Sequence, residues 1–190
     1  MADKKLIMVV RKEDLFGQNG EYFFQGFRTH GELDYEERIL KNFGFITRGF
    51  AENDSNYKQP IAYTLIVNPE SKEVFVYQRA SKDKQYSEKR LQGKWSLGVG
   101  GHINIEDIQE DAANPIKVSL ERELGKEEVE FINGRILALD VLGYIYDDSN
   151  SVGKVHFGIL YLAKTDTKIV KPRDSEIAFG ELMNLSRLEE

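Results

Sequence analysis

Apolar positions along this chain fall mostly into short runs and period-two alternations, with one stretch at helical spacing. Residues 5–10 carry an unbroken apolar run and predict a short buried strand. Residues 20–27 contain Phe23, Phe24 and Phe27 and read as a hairpin arm or a packed loop. Residues 34–42 predict a helix, with Gly44 just beyond its end. The polar, turn-rich stretch 52–60 predicts a connection. Residues 61–67 and 73–79 predict two strands joined by 68–72 as a hairpin. Residues 81–94 are highly charged and predict an exposed segment, and 95–99 a short strand entering Gly100 and Gly101. Further strands are expected at 129–131, 135–146 and 154–164, with a turn at Asn133 and Gly134 and a polar loop at 147–153. A short C-terminal helix is expected over 179–190.

The helical spacing begins at Asn114-Pro115, a capping side chain followed by proline at the first helical position. The helix is expected to reach Glu127, with Gly125 costing about 1 kcal/mol relative to alanine. With Ile116 set to zero and about 100° per residue, Leu120 and Leu124 fall near 40° and 80°. Glu127 then lies near 20° and Glu123 near 340°, in or beside the apolar stripe. A carboxylate buried without a partner is very unfavourable, so something positive must meet the two glutamates. A hard cation such as magnesium suits them, because it accepts one or two carboxylates and keeps its remaining waters or substrate oxygens. Glycines 98, 100 and 101 let the backbone approach a ligand or the helix closely.

Composition narrows the chemistry. The chain has 190 residues, 41% of them hydrophobic, which suits one domain with a core of its own. No apolar run is long enough to span a membrane, and the run behind Lys5 is too short for a signal peptide, so a cytoplasmic protein is expected. With no cysteine, thiolate metal sites and thiol catalysis are excluded, and any metal must be held by oxygen or imidazole. A formal net charge of -6 argues against a broad surface for a nucleic acid polymer and favours phosphate handling through a bound cation.

At Gly101 to Glu127 the sequence resembles the Nudix hydrolase family. The family's box runs Gly, five residues, Glu, seven residues, Arg-Glu-U-x-Glu-Glu-x-Gly-U, with U aliphatic. Gly101 matches its opening glycine and Asp107 stands at its first Glu. Arg122, Glu123 and Leu124 match Arg-Glu-U, and Glu127 matches the second Glu of the pair. Residues 90–103 look like a MutT-related phosphoesterase group within the family. Three departures stand out: seven extra residues before Arg122, Lys126 in place of the first Glu of the pair, and Val129 in place of the later glycine. Glu128, near 120° on an ideal wheel, substitutes for that lost glutamate only if the helix end unwinds.

The resemblance implies a Nudix-type α/β/α sandwich around a mixed β-sheet. It implies a single domain over 1–190, with 1–55 an N-terminal elaboration and 56–190 the core. It implies hydrolysis of a diphosphate linkage in a nucleoside diphosphate-type molecule, with Mg2+ as cofactor and Mn2+ as the other candidate ion. On that reading Glu123, Glu127 and Asp107 bind the metal, and Arg122 orients a carboxylate. Arg79, Gly100, Gly101 and His102 meet the substrate, and a later loop supplies the base, with Asp148 first among Asp147, Asp148, Glu176 and His156. Lys89 and Arg90 are further phosphate candidates, and Trp95 and the tyrosines could stack on a base. The rival implied by Lys126 is a binding module that senses a phosphorylated metabolite. His156 reads as a satisfied, half-exposed strand residue, and His30 has no supporting context. The aromatic N-terminal segment is available as a homodimer surface.

Overall fold

The structure, a computed structural model, describes residues 4–80, 92–110 and 114–188. The chain forms two compact units. The first comprises Met1–Ala62, Gly101–Ser119 and Val141–Leu160; the second comprises Tyr63–Gly100, Leu120–Asp140 and Tyr161–Glu190.

In the first unit, β1 (Leu6–Arg11) is buried on both faces from Ile7 to Val10, as its unbroken apolar run requires. It pairs antiparallel with β3 (Gly44–Thr47) and with the start of β4 (Tyr57–Asn68). Helix α1 (Lys12–Phe16) follows β1 directly, and α2 (Tyr35–Asn42) is capped by Asp34, whose side chain accepts from the Glu37 N–H. Within the 20–27 stretch, residues 20–25 form a packed loop that leads into β2 (Gly26–Thr29). Phe24 is buried against the rings of Phe16, Tyr35, Tyr146 and Phe157. The short helix α3 (Arg48–Ala51) ends just before Glu52.

In the second unit, the end of β4 and β5 (Glu73–Arg79) form the expected hairpin, with Val67 opposite Val74. Asn68 Oδ1 accepts from the Glu70 and Ser71 N–H groups and holds the turn, where Lys72 takes the left-handed conformation (φ 57°). The expected strand at 95–99 forms as β6 (Trp95–Ser96) and β7 (Gly98–Val99), pairing with β5 and β4 respectively. Gly98 is required there: a Cβ would stand 1.8 Å from Tyr63 Cε1. A separate ladder joins β8 (Val129–Ile132) to β11 (Ile169–Pro172).

The C-terminal expectation fails. Residues 177–184 form a strand, β12 (Ile177–Asn184), along β5, followed by a 3-10 turn over Leu185–Leu188. The open edge of β5 offers a row of backbone partners, and Gly180, a poor helix residue, lets the strand lie against the Phe75 ring and Pro172. Strands β9 (Ile136–Tyr146) and β10 (His156–Thr165) are neighbours, and β10 is also the neighbour of β4. The 147–155 loop turns the chain back between β9 and β10. β10 starts beside the start of β4, where the Gln59 N–H donates to the Val155 carbonyl at 2.7 Å. Antiparallel pairs and this co-directional pair make the sheet mixed, in an α/β fold.

Candidate active site

Helix α4 (Pro115–Arg122) starts where Asn114 predicts it. Asn114 Oδ1 accepts from the Ile116 N–H at 3.0 Å and the Lys117 N–H at 3.2 Å. Ile116, Leu120 and Leu124 are buried, and Glu123 is buried beside them at 5% exposure, as the helical wheel requires. After Arg122 the helix widens into a π turn over Glu123–Glu127, closed by the Glu128 N–H donating to the Glu123 carbonyl at 2.9 Å. An i→i+5 turn adds one residue per turn. It therefore swings Glu128 back toward the side of the helix that carries Glu123.

Three glutamates now crowd one turn. Arg122 Nη1 donates to Glu123 Oε1 at 2.7 Å and to Glu127 Oε2 at 2.6 Å, so one guanidinium holds both carboxylates. Burial pushes the Glu128 carboxyl up to about 8, and the charges of Glu123, Asp174 and Glu176 add to the effect while Arg79 opposes it. The 173–176 segment is pinned beside this turn. The Arg173 N–H donates to the Glu128 carbonyl at 2.8 Å, and Arg173 Nη1 reaches the Gly125 carbonyl at 3.3 Å. The Ala80 N–H donates to the Glu176 carbonyl at 2.7 Å, tying Glu176 to the end of β5 that carries Arg79. Arg122, Glu123, Glu127, Glu128, Arg79, Asp174 and Glu176 all belong to the second unit.

The other predicted residues have different surroundings. Asp107 is buried in the first unit, where its Oδ2 accepts from the Asn104 N–H at 2.8 Å in a reciprocal capping box. Asp147 is exposed; its hydrogen bonds from Ser149, and then from Gln25, hold its carboxyl below the usual range. Asp148 lies next to it in the first unit, within electrostatic reach of Lys58 and Tyr146. Gly100 closes a segment of the second unit and Gly101 opens one of the first. Trp95 is exposed and meets Phe179 edge to face at 6.0 Å. Lys89 and Arg90, and the exposed segment expected over 81–94 as far as residue 91, lie outside the described residues.

His102 pairs with Ile61 in a β-bridge and stands beside His156, with 3.4 Å between their Nε2 atoms. Burial holds its imidazole well below the ordinary histidine value, and the charges of Arg48, His156 and Lys5 push the same way. No sequence signal links these two histidines, which stand 54 residues apart.

The fold agrees with that of a similar protein of known structure. Tm1382, a candidate Nudix hydrolase of known crystal structure, superposes with a TM-score of 0.76 and 28% identity, over 97% of this chain and 88% of its own. The fold is thus the Nudix fold, and the chain's kinship is with Nudix-type hydrolase enzymes. More particularly, the chain belongs to the family of Protein YmaB of Bacillus subtilis (strain 168). The two are 34% identical over 189 residues, 98% of this chain and 88% of that protein. No protein-family profile matches the chain.

Proposed function

We propose that the chain is a divalent-cation-dependent hydrolase that cleaves a diphosphate linkage in a nucleoside diphosphate-type small molecule. The observation that carries this reading is the π turn, which brings Glu128 within electrostatic reach of Glu123 while Arg122 holds Glu123 and Glu127. The donor set fits a hard cation. It is all carboxylate oxygen, and burial, reinforced by the charges of Glu123, Asp174 and Glu176 against that of Arg79, lets Glu128 hold its proton up to about 8. Glu123, Glu127 and Glu128 would hold Mg2+ or Mn2+, which when bound supplies a Lewis acid for a phosphoryl oxygen.

The chain's own residues do the rest. Arg122 fixes the Glu123 and Glu127 oxygens by two charge-assisted hydrogen bonds. Arg79, on β5 within electrostatic reach of Glu128, is positioned to meet phosphate charge. Glu176, in the same group, is the carboxylate best placed to take a proton from water. The rival reading, a scaffold that only senses a phosphorylated metabolite, draws on Lys126; Glu128 on the acidic side of the turn favours the enzyme.

The test is turnover of nucleotide sugars, dinucleoside polyphosphates and nucleoside triphosphates with and without Mg2+ or Mn2+. Wild type is compared with Glu123→Gln and Glu127→Gln. Metal-dependent cleavage that both substitutions abolish is the expected result. Binding without turnover across the whole panel would establish the sensor instead.

A further inference from the structure

The first unit gathers two imidazoles, a carboxylate and a buried amide from four separate stretches of chain. Glu52 follows α3, Gln59 lies in β4, His102 follows Gly101, and His156 opens β10. His102 Nε2 and His156 Nε2 are 3.4 Å apart, and His156 Nε2 is 4.0 Å from Glu52 Oε1. One ligand atom from each of these three residues lies within 4.8 Å of the other two. Two nitrogens bound at about 2.0–2.1 Å to one tetrahedral ion stand roughly 3.4 Å apart, so the imidazole spacing is that of a shared ion. We propose that Glu52, His102 and His156 form a binding site for a divalent transition-metal ion of the zinc class.

The surroundings are those of a built site. His156 Nδ1 lies 2.8 Å from the Val152 carbonyl, which can only accept, so Nδ1 carries the proton and Nε2 turns its lone pair into the cluster. Arg48 Nε, 3.4 Å from Glu52 Oε1, steadies the carboxylate. Gln59 is fully buried, and its Oε1 accepts from His102 Nε2 at 2.8 Å, so in the metal-free chain that nitrogen carries the proton that a bound ion would displace. Gln59 Nε2 has no hydrogen-bond partner among the described residues, so protein atoms alone do not close the polar inventory here. The amide oxygen, aimed at the imidazoles, is available as a fourth ligand. Magnesium and calcium prefer sites made of oxygen, whereas two imidazoles with one carboxylate favour zinc and its neighbours in the first transition row. Such an ion would tie the four stretches of the first unit together.

The full chain, stripped with a chelator, is titrated with Co2+ as a spectroscopic stand-in for zinc. One Co2+ per chain should give the visible absorption of a tetrahedral site, displaced by one equivalent of Zn2+ and not by excess Mg2+. His156→Gln and Glu52→Gln should each weaken Co2+ binding at least about tenfold, with circular dichroism reporting the fold, while Glu123→Gln leaves it unchanged. If His156→Gln does not fold, wild-type stoichiometry and Glu52→Gln decide. A wild type without the tetrahedral band would make this an ordinary hydrogen-bonded histidine pair and overturn the proposal. So would a band that survives Glu52→Gln at full affinity, or one lost in Glu123→Gln.

Discussion

The two units assemble charged and polar side chains in opposite ways. In the second, Glu123, Glu127 and Glu128 come from six consecutive residues, and the turn they stand on decides which of them share a side of the helix. In the first, Glu52, His102 and His156 come from three distant segments, and only the strand arrangement makes them neighbours. The carboxylate group carries excess negative charge and suits a hard cation. The group of two imidazoles and one carboxylate suits a softer one. A site's legibility in sequence therefore follows its contact order, not its chemical strength.

The comparison breaks most sharply at Glu128. Its folded value of about 8 exceeds the ordinary 4.5, so between those values the folded chain holds a proton that the unfolded chain has released. In chelator, stability should therefore fall as pH rises from 4.5 to 8, by roughly 3–5 kcal/mol, and stay level above. Urea unfolding of wild type and Glu128→Gln at pH 5 and pH 9 measures this. A slope of equal size in the variant would mean that Glu128 is not its source.

Gly98→Val should cost about 1–3 kcal/mol, because its Cβ would meet the Tyr63 ring at 1.8 Å. Denaturant midpoints check it, and an unchanged midpoint would mean that the ring has room to turn aside. Arg122→Lys should lower kcat/KM about tenfold, since the shorter lysine cannot place its ammonium where Arg122 Nη1 meets the Glu123 and Glu127 oxygens together. Steady-state kinetics with the identified substrate reads it. Asn114→Ala should cost about 2 kcal/mol, from two lost capping bonds and the bond its Nδ2 donates to the buried Glu36 carboxylate, all far up the helix from the glutamates. If it also lowered activity strongly, the acidic turn would depend on the helix start and not on its own local geometry.

Much of the scaffold was legible because it is locally encoded. Asn114-Pro115 marks the start of α4, Asp34 the start of α2, and the two apolar runs either side of the turn at 68–72 the β4–β5 hairpin. Glu123 falls in the apolar stripe on any regular wheel, and Arg122 beside it is the natural counter-ion. The π turn escaped prediction because an i→i+5 turn is selected by tertiary partners, here the Arg173 groups that bind the Glu128 and Gly125 carbonyls. The same reason hides β12, whose strand state is imposed by the edge of β5 over a sequence that reads equally well as helix. His156 looked like an ordinary strand residue because nothing within ten residues of it reveals Glu52 or His102.

On the proposed function, the widened turn makes Glu128, not Lys126, the residue that completes the acidic site. The Mg2+ dependence of turnover in Glu128→Gln and Lys126→Gln tests this. Glu128→Gln should raise the Mg2+ concentration for half-maximal rate at least about tenfold, while Lys126→Gln should leave it near wild type. An unchanged Mg2+ requirement in Glu128→Gln would contradict it.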